Sequence, residues 1–537
     1  MRLVISDYIS QLKEKDELDV LLCDLLVQQG YYIDSRPKTG NRQHGVDIHV
    51  YDENKILLFI VKQGNITRGV WDGGTNSVYS SLHEIENVYY RTMTPKEKSK
   101  EITIIVATNG FMDEAVRLDW NGYVEKNAKW GESKISFEFW SIDSIVEKVQ
   151  SDIFNEQLFG KELQSLLRKA LYFVEETDYN RHYYERIIDE IISKVHDNVD
   201  NNKKFKRAIT TLNLASQMIS QYAHDAGVNK VAIMVSEYVI IRYWELILKK
   251  NLFEREKYIE WLLKFQKHYE KWCDHYYKNI KHICSNKKIF PRQNIIENRV
   301  VIYEMLGFLI AYAIFLTSRE RKKAEEVISS IIEIINNYDE FYFPPYDINI
   351  NVIVALYRLL AKIGKHKEVS MLMREQCSIL MLNHIKNGKY PAQEDSFEEA
   401  VQIEFHKNKD PYEMSVFWGV MIVYICITKD ESLYNHIYNY LSENIKDVTK
   451  CIWLIRKDEE IGLYKYGAAH TIGEGFALET KKEFSEMKKT VEYVLKKYEG
   501  EEMSWDIYSA ESIEFIVARY FNYIPRIFKN GIAMTEK

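Results

Sequence analysis

Proline and glycine are scarce in this chain, at 8 and 22 of 537 residues. Both disrupt helix interiors, so their rarity excludes long flexible linkers and favours a mostly helical chain. Cysteine is scarcer still. The six, Cys23, Cys273, Cys284, Cys377, Cys426 and Cys451, are scattered and form no Cys-x-x-Cys pair. That argues against a disulfide framework and for a reducing, cytoplasmic setting. The opening residues, MRLVISDYISQLKEKDE, lack the apolar core and small-residue cleavage site of a secretory leader. There is no GxxxxGK loop followed by Ser or Thr, so no nucleotide-hydrolysis module is expected; HExxH and GxSxG are missing too. Nor is there a global excess of positive charge. The net charge is −7, so any surface for nucleic acid has to be local.

What is present is the balance of an ordinary globular protein, 46% apolar and 28% charged. The length implies two or three domains. Residues 1–150 alternate helical and strand patterns. Leu18 to Gln29 has helical spacing and stops at Gly30; Val46–Val50 and Ile56–Lys62 read as strands around the turn 52–55; Glu101–Ala107 and Ile135–Trp140 read as further strands. Strands interleaved with helices imply a central sheet covered by helices. Beyond about residue 160 the strand signal disappears and helical patterns follow one another to 522, broken at Tyr342-Phe343-Pro344-Pro345 and Gly388-Lys389-Tyr390-Pro391. The expected organisation is an α/β domain over 1–155, a helical domain over 156–340 and a helical-repeat-like domain over 341–537. The apolar run Val300 to Thr317 approaches membrane-spanning length, but it carries Glu304 and sits in a helical array, so a buried helix is expected.

One segment of the α/β region carries chemistry. A helix with an acid near its start, Asp19, leads through Gly30 to Gly45-Val46-Asp47-Ile48, and the following hairpin ends in Val61-Lys62. Acids brought to neighbouring strands can hold a hard divalent cation through oxygen. Such a cation polarises a phosphate and activates water, and a lysine beside it can stabilise developing negative charge. His44, close to Asp47 in sequence, is a candidate phosphate contact, and a solvated loop histidine otherwise. Gly73-Gly74 after Trp71 marks a loop near the site.

These residues resemble the PD-(D/E)XK superfamily, most closely Mrr-type restriction endonuclease-like domains. Leu18-Asp19 falls where a Phe-Glu pair usually lies, Gly30-Tyr31 matches the helix end, Gly45-Val46-Asp47-Ile48 the aspartate motif, and Lys62 the lysine. Ala107-Thr108-Asn109-Gly110-Phe111-Met112 and Phe139-Trp140-Ser141-Ile142-Asp143 look like later strand-to-helix passages of the same domains. The resemblance implies a restriction endonuclease-like fold, magnesium or manganese as cofactor, and double-stranded DNA as substrate. It makes Asp47 and Asp19 the metal ligands and Lys62 the catalytic lysine. It also implies an effector role in bacterial anti-phage defence, with a homo-oligomer or a partner defence protein, an ATPase among the candidates, and no membrane. One departure matters. The position two before Lys62 is Ile60, where an acid or amide is expected, and Gln63 lies on the opposite face of a regular strand. A degenerate head that binds nucleic acid or a partner without cutting is therefore the second reading.

In the helical body, Lys249 to Arg292 holds twelve lysines and arginines against five acids. A local cationic stripe is what phosphate binding requires, and Lys264, Lys267 and Lys271 are its centre. The alternative is a solvated helix face over a packed aromatic one. The same stretch carries Cys273-x-His275 and His282-x-Cys284, zinc's preferred ligand types. Residues two apart point to nearly opposite sides of a helix, so ordinary packing is preferred. His470 has no evident partners and reads as structural.

Overall fold

A computed structural model describes residues 2–35, 44–131, 133–152, 159, 161–174, 181–286, 295–393, 396–405, 413–466, 474–496 and 502–526. Arg42, Gln43, Lys287, Lys288, Phe290, Arg292 and His470 lie outside the described residues. By its contacts the chain divides into two units, Met1–Val231 and Ala232–Lys537, where sequence suggested three segments.

The first unit is built on a mixed sheet of β1 (Tyr32–Ser35), β2 (Ile48–Tyr51), β3 (Lys55–Lys62), β4 (Glu101–Thr108), β5 (Lys129–Trp130) and β6 (Ser133–Trp140), in the order β1-β2-β3-β4-β6-β5. The hairpin β2–β3 is antiparallel, with Ile48 opposite Phe59; β3, β4 and β6 run parallel, with Lys62 beside Thr108 and Ala107 beside Trp140. From Ile56 to Val61 every residue of β3 is buried, because helices cover both faces of the sheet. One face packs Ile56, Leu58, Ile60, Ile102, Ile104 and Val106 against Trp71, Leu82, Ile85, Val116 and Trp120. From the other face Phe59 meets Trp140 edge to face, with ring centroids 5.1 Å apart. The hairpin turn is held by Asp52, whose Oδ1 accepts from the N–H groups of Asn54 and Lys55. Further helices, Lys161–Tyr172, His182–Asp197 and Asn202–Asp225, complete the unit. An α/β region followed by a helical region is what the chain forms.

The second unit is helical, with one correction. Three short strands, β7 (Met414–Ser415), β8 (Thr449–Leu454) and β9 (Glu474–Ala477), form a small sheet in that order, where only helices were expected. A two-residue strand carries no periodicity to read. The helix Val416–Ile427 lies so close to β8 that a Cβ on Gly419 would stand 2.0 Å from the Cys451 carbonyl oxygen. Its N-terminus is held by buried Asp347, which accepts from Ser415 Oγ at 2.7 Å and from the N–H groups of Val416 and Phe417. Burial pushes that carboxyl up to about 6, against the pull of these three donors. The two sequence breaks meet: Asp347 N–H donates to Ala392 O and Ala392 N–H to Pro345 O, joining Tyr346 to Ala392.

The helix Ile295–Thr317 is long and apolar enough to cross a membrane, and 78% of its most apolar window is buried inside the structure. That is the buried helix expected. Cys273 and Cys284 are buried as well. Burial lifts the Cys284 thiol to about 11 and Cys273 well above its usual value. Among the described residues no three His, Cys, Asp or Glu side chains gather as a ready ligand set.

Candidate active site

The site begins with a glycine. Gly45 has φ +84°, and a Cβ there would stand 2.3 Å from the carbonyl oxygen of Ser81, in the helix Val78–Glu84. Only glycine fits a backbone that is both left-handed and this close to another. The turn delivers Asp47 to the start of β2. There Asp47 grips β3 on either side of Ile60: its N–H donates to Phe59 O at 2.8 Å, and its Oδ2 accepts from Val61 N–H at 2.8 Å. Among the described residues Oδ1 has no hydrogen-bond partner in the structure. Burial raises the Asp47 carboxyl above the ordinary aspartate range; the Val61 N–H and the Lys62 ammonium pull it down, and the Glu14 carboxylate pushes it up again. The Asp47 carboxylate thus lies against the backbone of β3 next to Lys62, and the charges of Lys62 and Glu14 both act on it.

Glu14 comes from a segment the sequence reading passed over. With α1 (Arg2–Ile9) and α2 (Asp19–Gln28) as its flanks, the chain kinks over Glu14–Leu18, where Lys15 is extended (φ −97°, ψ 144°) and Asp16 takes φ +66°. Glu14 is half-buried, and Glu17 beside it is paired with Arg207. The signal available in sequence was the charged run Lys13-Glu14-Lys15-Asp16-Glu17, which reads most simply as solvated.

Asp19 occupies a different environment. It is only 4% exposed. Burial raises its carboxyl, and backbone N–H groups of Asp16, Val20 and Glu17 oppose that rise. The neighbouring Asp16 carboxylate pushes it further up. Asp19 is the first residue of α2, where a carboxylate is favoured by the helix dipole, and its Oδ1 accepts from the Val20 N–H at 2.7 Å.

Ile60 is 1% exposed and belongs to the apolar layer under the sheet. Gln63 is no substitute ligand: its Nε2 donates to Leu12 O at 3.1 Å. His44 sits at φ +49° in the same turn as Gly45, half-buried, and among the described residues its Nδ1 has no hydrogen-bond partner. Gly73-Gly74 is a tight turn closing the helix Arg68–Asp72, with Gly73 N–H bonded to Gly69 O.

The floor of the site is fixed by Asn109. Buried after β4, it accepts from Gly64 N–H at 2.7 Å and donates to Ile9 O at 3.0 Å and Leu12 O at 2.8 Å. One amide thus joins the end of α1 to the exit of β3, just beyond Lys62. Gly110 completes the seam, since a Cβ there would lie 2.4 Å from the Gly64 carbonyl carbon. Losing three buried bonds should cost about 2 kcal/mol after relaxation. Asn109→Ala is expected to lower the urea midpoint of the first unit accordingly, and an unchanged midpoint would count against this seam.

No family model, curated protein or solved structure matches this chain.

A half-buried carboxylate with one oxygen committed to the backbone, a lysine at the end of the adjacent strand, and a second acid near enough to perturb the first suit a hard divalent cation. Magnesium commonly uses one or two carboxylates and keeps several waters. Asp47 and Glu14 supply that number. A cavity of about 570 Å³ lies elsewhere on the first unit, lined by Gln29, Glu138, Trp140, Glu147 and Lys148 among others, and includes none of these residues.

Proposed function

We propose that the first unit is a metal-dependent phosphodiesterase of the PD-(D/E)XK type acting on double-stranded DNA. The observation that carries this reading is the position of the Asp47 carboxylate against the end of β3, its Oδ2 held by the Val61 N–H next to Lys62. Asp47 and Glu14 would hold magnesium or manganese. Such an ion neutralises phosphate charge and makes its bound water a stronger acid. Lys62, at the end of β3, would steady negative charge on the scissile phosphate. The Val61 N–H fixes the Asp47 carboxylate through Oδ2, leaving Oδ1 for the ion. In this role Glu14 stands where Asp19 was expected, and Asp19 supports the start of α2. An effector role in bacterial anti-phage defence, with a homo-oligomer or a partner such as an ATPase, belongs to the same proposal.

The test is nicking of supercoiled plasmid by the full chain with magnesium or manganese, against the same reaction in EDTA. Metal-dependent nicking supports the reading. Its absence, with a well-folded protein, would favour the second reading, a nuclease-like scaffold that binds without cutting. The burial of Ile60 in the apolar layer is the observation on that side.

Acidity gives an independent handle. Burial favours the neutral Asp47 carboxyl, so its contribution to folding is present below the unfolded value and fades as pH rises through the raised folded one. A cation requires the ionised form, so its binding has the opposite dependence. Manganese affinity is expected to fall on acidification at a pH above the ordinary aspartate range, by up to about tenfold per pH unit. Calorimetric titrations across pH check this; Asp47→Asn should bind weakly and with a flattened pH dependence.

A further inference from the structure

We infer that Lys203, Lys204 and Lys206, with Lys13 beside them, clamp the phosphate backbone of duplex DNA next to the site of Asp47. The inference rests on the hydrolytic reading for the identity of the ligand, and it gives that ligand a surface outside the sheet. The three lysines open the helix Asn202–Asp225, whose first turn carries Lys203 and Lys204 and no acid. All four lysines are exposed, and among the described residues none of their ammonium groups is in an ion pair. The exposed acids within three residues of any of them are Asp16 and Asp200, so positive charge prevails. The stripe expected on the helix Glu256–Cys284 differs. There Lys264 and Lys271 lie over the rings of Trp261 and Trp272, at 4.6 and 3.9 Å.

Folding alone does not favour such an arrangement. The amino end of a helix dipole is positive and attracts acids, so lysines placed there are repelled. Lys203 also stands three residues before Lys206 and four before Arg207, the spacings at which like charges meet on a helix. Arg207 has an acid partner in Glu17; the three lysines around it are left with one another. An anion brought from outside relieves that repulsion.

The helix end is fastened to the site. The Glu17 carboxylate accepts from the Arg207 guanidinium and, at 2.8 Å, from the Lys13 N–H. Glu17 belongs to the kink that carries Glu14, so one carboxylate joins the lysine cluster to the segment proposed to hold the ion. The helix also packs against α1, which Asn109 ties to the exit of β3 beyond Lys62. Preorganised in this way, the cluster docks a ligand at a lower entropy cost than free side chains would. From Glu14 to Glu17 the chain spans at most about 11 Å. Over that length a duplex presents about six phosphate charges and a single strand about three, so the duplex is the better match to four lysines.

The experiment is fluorescence anisotropy of a labelled duplex titrated with the full chain in EDTA, over a series of salt concentrations. The variant Lys203→Gln/Lys204→Gln/Lys206→Gln is expected to bind about tenfold or more weakly, with a log–log salt slope smaller by roughly 2 to 3. Because the change also relieves repulsion, this variant should melt no lower than wild type. The same triple with arginines should retain binding. The charge-matched Lys482→Gln/Lys489→Gln/Lys496→Gln variant should stay within about twofold of wild type. Unchanged affinity and slope in the Lys203/Lys204/Lys206 glutamine triple overturns the proposal. So does a lowered melting point with equal loss of binding in the arginine triple, which marks a packing role, or displacement by polyglutamate as readily as by unlabelled duplex. Nicking plays no part in this readout. A chain that binds duplex through these lysines and leaves plasmid uncut overturns the hydrolytic reading alone.

Discussion

Asp47→Asn is expected to reduce metal-dependent plasmid nicking by about 10³-fold, because it removes the charge of the carboxylate proposed as the main metal ligand while keeping an acceptor for the Val61 N–H. Lys62→Ala should cost about 10²-fold or more, as the loss of one transition-state donor does elsewhere. The discriminating pair is Glu14→Gln and Asp19→Asn. Glu14→Gln should impair nicking with little change in thermal midpoint, since its half-buried carboxylate bears on Asp47. Asp19→Asn should do the reverse, weakening the start of α2 while the folded fraction still cuts. Initial rates normalised to the folded fraction by circular dichroism decide it. An Asp19→Asn protein that melts like wild type but does not cut would return Asp19 to the metal and remove Glu14.

The second large effect is on stability. Gly45→Ala combines a left-handed backbone, φ +84°, with a Cβ placed 2.3 Å from a backbone oxygen that has no flexible end to swing aside. The conformational part costs about 1 kcal/mol and the overlap about 2 to 3 more. A loss of about 3 to 4 kcal/mol should lower the melting transition of the first unit by roughly 10 °C. Gly30 is the control. Its φ is +91°, but a Cβ there meets nothing within 4 Å, so Gly30→Ala should cost only the conformational part, about 1 kcal/mol. Equal melting of the two variants would show that Ser81 gives way. Gly45→Ala should also slow nicking per folded molecule, because Asp47 lies two residues on.

These variants mark where sequence was sufficient and where it was not. β3 and β4 were legible because a strand buried on both faces becomes a continuous apolar run, the first of which ends at Lys62. Glu14 was not. Its neighbours are all charged, and only a turn with a left-handed Asp16 brings it back toward β3, a conformation that residue types do not announce. Asp19 had the right type and position for a ligand, and the structure buries it at the start of α2 with its Oδ1 accepting from the Val20 N–H. The breaks at 342–345 and 388–391 were visible, yet that Ala392 N–H bonds to Pro345 O is a long-range fact without local signature. The β7–β9 sheet was missed because two of its strands hold only two and four residues.

The Asn109 amide has a practical corollary. Because it reads the carbonyls of Ile9 and Leu12 with one end and the exit of β3 with the other, the ground beneath Lys62 includes the opening helix of the chain. A minimal cassette cut to begin at the sheet would leave that amide facing water and the lysine's strand untethered. Any excised version of this head that keeps its chemistry should have to start at or before α1.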